Sequence, residues 1–242
     1  MENLLIYKSK DELFKDIANY IIAIGKKAIA ENDCFNFVLT GGNSPKELYH
    51  NLATTYKDSL DWNKVFFFFG DERNVLAEDA NYNGLMAKES ILSPLNIASD
   101  HIFYVDTTLA PEKAAIEYHK AISAHFKGAD LSFDLILLGM GDDAHTASLF
   151  PGTSILENHN VEVDSVFVEK LATHRISFTA PLINKAKNIA FLVFGKGKAE
   201  ALKHVIEDEE QHTALYPSQL IKPIAGGLTW FVDEDAASLL DN

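Results

Sequence analysis

The sequence predicts an α/β protein built on one open, mostly parallel sheet with helices on both faces. Three observations carry that expectation. Short runs that are apolar on both faces recur along the chain, as in strands buried from two sides. Each is followed by a turn, usually glycine-bearing, and most then enter a stretch with helical spacing. The 242 residues are 47% hydrophobic and 23% charged, which suits a soluble globular chain with a sizeable core. No repeat, low-complexity tract or linker divides the chain, so residues 1–242 are expected to form one domain.

Taken in order, the first element is DELFKDIANYIIAIGKKAIAEN, whose apolar positions follow a helical period. Phe35 to Leu39 (FNFVL) is a buried strand leading through TGGNSP into the helix-like KELYHNLA. Val65 to Phe69 (VFFFF) repeats the pattern, with GDERNVLAEDANYN as its loop and GLMAKESIL as its helix. APEKAAIEYHKAISAHF, from Ala110, is a further amphipathic helix. Phe133 to Leu138 (FDLILL) is a strand that empties into GMGDDAHTASLFPG. Arg175 to Thr179 (RISFT) is a strand closed by the Ala180-Pro181 step. Ile189 to Phe194 (IAFLVF) passes through GKG into KAEALKHVIE. The closing GGLTWFVDEDAASLL predicts a strand, an aspartate N-cap and a short helix. In such sheets ligands bind outside the carboxyl ends of the strands, where all of these polar loops lie.

Composition excludes several function classes. A net charge of −14 argues against a nucleic-acid binder, because phosphate contacts need a basic surface. No apolar run approaches the roughly 18 residues that span a bilayer, and MENLLIYKSKDELF lacks the features of a signal peptide. Cys34 is the single cysteine, so no internal disulfide is possible, and a cytoplasmic location is expected. Of 21 basic residues only Arg73 and Arg175 are arginines. Arginine is the planar, bidentate partner of phosphate and carboxylate, so its rarity gives these two positions weight.

The loops supply distinct chemistry. In TGGNSPKEL, Gly41 and Gly42 let the backbone approach a ligand, Asn43 or Ser44 can cap the helix, and Pro45 suits its first position. Free N–H groups at a helix start favour phosphate, although an ordinary strand-to-helix turn reads the same way. Asp71-Glu72-Arg73 places a cation at a strand end, where Asp71 can accept from a sugar hydroxyl or orient a catalytic group. Asn81 and Asn83, further along, can do likewise, or simply shape turns. His145 is the side chain suited to proton transfer near neutral pH, and Asp143 can hold its tautomer. An Asp-x-His pair can also ligate a metal, but no second histidine stands at ligand spacing. Ser148 is not in a Gly-x-Ser-x-Gly turn, which argues against a serine nucleophile. Lys198 opens a helix against its dipole, a placement that anion binding would explain.

Together these segments resemble the 6-phosphogluconolactonases of the pentose phosphate pathway. The resemblance runs in order through VLTGGNSPKELYHNL, FFFGDER, FDLILLGMGDDAHTASLFPG, RISFTAPLINKAKNIAFLVFGKGKAEAL, YPSQLIKP and WFVDEDAA. It implies a Rossmann-like fold shared with sugar-phosphate isomerases and glucosamine-6-phosphate deaminases, and metal-free hydrolysis of 6-phospho-D-glucono-1,5-lactone without a cofactor. Carried onto this chain, it implies His145 as general base, supported by Asp143 and Asp71. Arg73, Arg175 and Lys198 would meet the anionic end, with Gly41, Gly42, Asn43 and Ser44 as the cradle. The partner expected is therefore a small phosphorylated sugar lactone, with no nucleic acid and no membrane; oligomeric state is not legible.

Two departures qualify the match. The family's Gly-Gly-Ser-Thr-Pro is GGNSP here, and Ala144 stands where the family has glycine. If that position has positive φ, alanine costs on the order of 1 kcal/mol and can shift His145; a negative φ would be harmless. A related deaminase or isomerase is the alternative enzyme, but those carry Asp-Glu-Tyr at 71–73 and Ile-Ala-Phe-Asn-Glu-Pro at 146–151. A sugar-phosphate sensor would need a basic helix-turn-helix ahead of the sheet, and a binding-only relative is the third reading left by Ala144.

Overall fold

The computed structural model describes residues 2–241. Among them nine strands form two sheets. The larger is parallel throughout and contains β1 (Glu2–Tyr7), β2 (Phe35–Leu39), β3 (Val65–Phe69), β5 (Leu135–Gly139), β8 (Asn188–Val193) and β9 (Gly227–Asp233), in the order β1-β9-β8-β5-β2-β3. The smaller is antiparallel, with β4 (Asp71–Arg73), β7 (Thr173–Phe178) and β6 (Val163–Val168) in the order β4-β7-β6.

Alternation along the central strands sorts the core onto two faces. Phe35, Phe37, Phe67, Phe69, Leu135 and Leu137 pack beneath α1 (Lys10–Asn32) and α2 (Asn43–Thr54). Val38, Phe68, Ile136, Leu138, Phe191 and Trp230 fill the opposite face, toward α4 (Pro111–His125) and the smaller sheet. Helix α3 (Asn83–Ala87) is a short turn continued by a π turn over Lys88–Leu92. Two more helices, α5 (Ala180–Ile183) and α6 (Ala199–Glu207), follow β7 and β8. No helix among the described residues is long and apolar enough to cross a membrane.

Three expectations need correction. Asp71–Arg73, read as loop, is a strand, because the chain changes sheets at Gly70. The N–H of Gly70 still bonds Leu39 O in the large sheet (3.0 Å), while its carbonyl accepts from Phe178 N of β7 (2.9 Å). RISFT accordingly belongs to the small sheet and pairs with β4, not with the parallel strands. After β9, Asp233 does accept from Ala236 N (2.9 Å), but residues 234–239 form turns rather than a helix. Its carboxylate is shared with Gly195 N, which ties the turn to the β8 loop. β1 and β6 were not among the expected strands: β1 is an exposed edge strand, and β6 mixes polar residues into a short hairpin.

The strand order fixes where a ligand can sit. From β2 the chain moves to β3 at one edge, then returns to lay β5 on the other side of β2. The order reverses between β2 and β5, which opens a crevice above their carboxyl ends.

Candidate active site

The strand ends at this crevice are pinned by two buried tyrosines. The Tyr49 hydroxyl accepts from Thr40 N and donates to Thr40 O, both at 2.9 Å, just past β2. The Tyr118 hydroxyl does the same for Phe69 at the end of β3, at 2.7 and 3.1 Å. Each loop therefore starts from a fixed backbone.

After β2 the chain turns through Gly42 at φ 111°, a value that favours glycine, and α2 begins at Asn43. Neither Asn43 nor Ser44 caps the helix, and Pro45 occupies its third position rather than its first. The opening N–H groups are without a side-chain cap, which suits them to an anion. Gly41 has to be glycine for a packing reason: a Cβ there would lie 2.1 Å from Asn83 Oδ1.

Beyond Gly70, β4 and β7 set Arg73 directly opposite Arg175. Like charges facing across a pair of strands repel. Every ion pair among the described residues uses lysine or histidine, so no carboxylate neutralises either guanidinium at close range. The Nε atoms of both arginines are buried without a partner. Burial lowers the Arg175 pKa, with Arg73 adding to the effect and Asp71 opposing it. Arg73 is oriented by a 2.7 Å bond from Nη1 to Asn81 O. Two adjacent, unneutralised guanidiniums are a site for a dianion.

The β5 loop holds the imidazole. His145 Nδ1 lies 2.5 Å from Asp143 Oδ1, and Asp143 Oδ2 lies 3.0 Å from Lys170 Nζ. Burial raises the Asp143 pKa, but the bonds and charges of His145 and Lys170 outweigh it and hold the carboxylate below its usual range. Phe150 stacks on the imidazole at 4.0 Å and 19°. Gly141 lies on another side of the ring, where a Cβ would meet Nδ1 at 2.0 Å. Ala144 has φ 58° and Ala147 φ 47°, so the left-handed alternative raised by the sequence is the one adopted. The Ala144 carbonyl is secured by Ser218, from N at 2.9 Å and Oγ at 2.7 Å.

Ser148 joins the two halves by two bonds. Ser148 Oγ donates to Asp71 Oδ2 at 2.8 Å, and Ser148 N donates to Ser177 Oγ on β7 at 3.1 Å. Ser148 is fully buried and committed to that carboxylate, so it is not a nucleophile. A cavity of about 440 Å³ beside β4 is lined by Gly42, Asn43, Lys46, Arg73, Asn81 and Asn83, among others.

Of the residues singled out by sequence, Gly42, Asn43, Arg73, Asn81 and Asn83 meet in this cavity, with Gly41 behind Asn83 and Arg175 beside Arg73. Asp71 and Asp143 each contact the His145 loop, which does not line that cavity but stands at the neighbouring strand end. Ser44 sits half-buried in the first turn of α2, outside the lining. Lys198 immediately precedes α6 in the loop after β8 and is not among the residues that line this cavity. Sequence reading missed Lys46, Lys170, Phe150 and the linking role of Ser148. Lys170 had no detectable signal, since it reaches Asp143 from 27 residues away in the β6–β7 hairpin. Among the described residues no cluster of three histidine, cysteine, aspartate or glutamate side chains is placed to hold a metal ion.

The chain is similar to known proteins over nearly its whole length. A 6-phosphogluconolactonase of Synechocystis is 39% identical over 220 residues, covering 88% of this chain and 88% of that protein. A probable 6-phosphogluconolactonase of Arabidopsis thaliana is 35% identical over 251 residues, 98% of this chain and 92% of its own. The solved 6-phosphogluconolactonase of Trypanosoma cruzi superposes with a TM-score of 0.84 at 26% identity, covering 98% of this chain and 96% of that one. The profile described as glucosamine-6-phosphate isomerases/6-phosphogluconolactonase matches residues 8–230, and the chain belongs to that family.

Proposed function

We propose that the protein hydrolyses 6-phospho-D-glucono-1,5-lactone to 6-phosphogluconate, with His145 as the general base and no metal or cofactor. The observation that carries this reading is the Ser148–Asp71 bond, which fixes the loop of an oriented imidazole against a pair of strands bearing two unneutralised arginines. Neighbouring parallel strands lie about 4.8 Å apart, so the ends of β5 and β3 are separated by roughly 10 Å. A six-carbon sugar phosphate can bridge that interval, phosphate at the arginines and ring carbonyl at the imidazole.

In this mechanism Arg73, Arg175, Lys46 and the α2 start bind the phosphate, and that remote binding orients the lactone. Asp143 accepts a hydrogen bond from Nδ1–H, which stays on the ring and leaves Nε2 free to take a proton from water. The hydroxide oxygen bonds to C1, and the carbonyl becomes an oxyanion. Its collapse breaks the bond between C1 and the ring oxygen, which receives the proton back from His145. The products are a hydroxyl and an open-chain carboxylic acid, which releases its proton to solvent to become the carboxylate, so atoms and charge balance without an oxidant. We read the chain as one domain working in the cytoplasm on a small phosphorylated sugar. The test is acid release from freshly generated 6-phosphogluconolactone, followed against the spontaneous rate with a chelator present. No acceleration over the blank would overturn the reading, and loss of acceleration on chelation would overturn its metal-free part.

A further inference from the structure

Glu72 has no part in the chemistry above, yet its side chain is entirely buried. Such a carboxyl is expensive unless its oxygens are satisfied. Its Oε1 accepts from the backbone N–H groups of Arg73 (2.8 Å) and Asn83 (2.7 Å), and its Oε2 accepts from Gly84 N (2.9 Å). These amides belong to two elements, β4 and the first turn of α3, that are otherwise joined by the long loop 74–82. Asn83 extends the connection. Its Nδ2 donates to Asp71 O (3.0 Å), and its Oδ1 fills the space that a Cβ on Gly41 would need. One buried side chain thus ties together the backbone of Arg73, the start of α3 and, through Asn83, the Gly41–Gly42 turn.

We propose that Glu72 is a positioning residue, which clamps α3 onto β4 and thereby sets Arg73 and the Gly41–Gly42 turn in the spacing that grips phosphate. The proposal rests on the reading of the arginine cavity as the phosphate end. Both carboxyl oxygens are used, so glutamine is not equivalent: it offers one acceptor, and its NH2 faces an N–H donor. Glu72 itself bonds only to the amides of Arg73, Asn83 and Gly84 and not to the His145 loop, so its loss falls on phosphate binding rather than on turnover.

The experiment compares wild type with Glu72→Gln by calorimetric titration of inorganic phosphate and 6-phosphogluconate, and by kinetics on phosphorylated and unphosphorylated gluconolactone. Loss of a buried hydrogen bond predicts that both phosphate ligands bind about tenfold more weakly and that KM for the phosphorylated lactone rises about as much. The turnover number and the rate on the unphosphorylated lactone are expected to stay within about threefold. A purely structural role would instead lower activity on both lactones alike, and that result, or unchanged phosphate affinity, overturns the clamp. Wild type that fails to bind phosphate at all refutes the reading of the cavity instead. Asn83→Ala keeps the backbone bonds to Glu72 and removes the side chain that bonds Asp71, abuts Gly41 and borders the cavity. It should show the same phosphate-selective loss even if Glu72→Gln does not fold, and wild-type phosphate affinity in that variant also overturns the proposal.

Discussion

His145 is confined by the Asp143 bond, the Phe150 ring and the bare face of Gly141, so its rotamer is settled before any ligand arrives. Replacing it with alanine should lower the turnover number by at least about 10²-fold while changing KM by no more than about threefold, measured by steady-state acid release. Near-normal turnover would remove it from proton transfer. Ala144 and Ala147 flank the ring in left-handed conformations that cost alanine on the order of 1 kcal/mol each. Because Ala144 already adopts the glycine-like backbone, Ala144→Gly should leave turnover unchanged. Melting temperature should move by under about 4 °C, since relief of strain is offset by lost burial and a freer unfolded chain. Glu72 titrates abnormally: burial pushes its pKa up to about 8 against the pull of three amides. Its folded value lies above the unfolded one, so ionisation works against the fold. Stability is expected to decline as pH rises from the ordinary value of 4.5 through 8, and urea unfolding of Glu72→Gln should lack that part of the slope.

At the scale of elements, the site depends on strand ends that are anchored rather than on the strands themselves. The β5 loop and β4 meet through Ser148, whose hydroxyl is a buried donor to Asp71. Ser148→Ala leaves that carboxylate oxygen without the donor, at a cost of about 1–3 kcal/mol in chemical unfolding. It should also lower turnover, because the imidazole loop loses its tie to the arginine strand; unchanged stability and rate together would show the bond to be incidental. Gly70 makes this junction possible by giving its N–H to one sheet and its carbonyl to the other. The glycines, Asp-x-His and the two arginines were legible because each residue type has a narrow range of uses. The pairing of Arg73 with Arg175 was not, because β4 is three residues long and its partner lies about a hundred positions away in the chain.

For the whole molecule, a chain of net charge −14 binds an anion only by concentrating cations locally, and the two arginines facing each other accomplish this at one border of the sheet. The opposite border is formed by β1, which covers the β9 edge and stacks Tyr7 on Phe231 at 6.2 Å. Removing residues 1–7 should lower the melting temperature by more than about 4 °C and promote aggregation seen by size-exclusion chromatography, because the β9 edge is left unpaired. A soluble, fully stable truncation would show that β1 is dispensable. By itself the sequence determined the parallel α/β class, the central strands and the polar loops at their carboxyl ends. Those follow from local periodicity and from residue types whose chemistry travels with them. Only the tertiary structure decided that the chain changes sheets at Gly70, that Arg73 faces Arg175 and that Glu72, Ser148 and Lys170 support the site. Such contacts join residues distant along the chain, and a pattern read within one segment holds no record of the partner that folding brings to it.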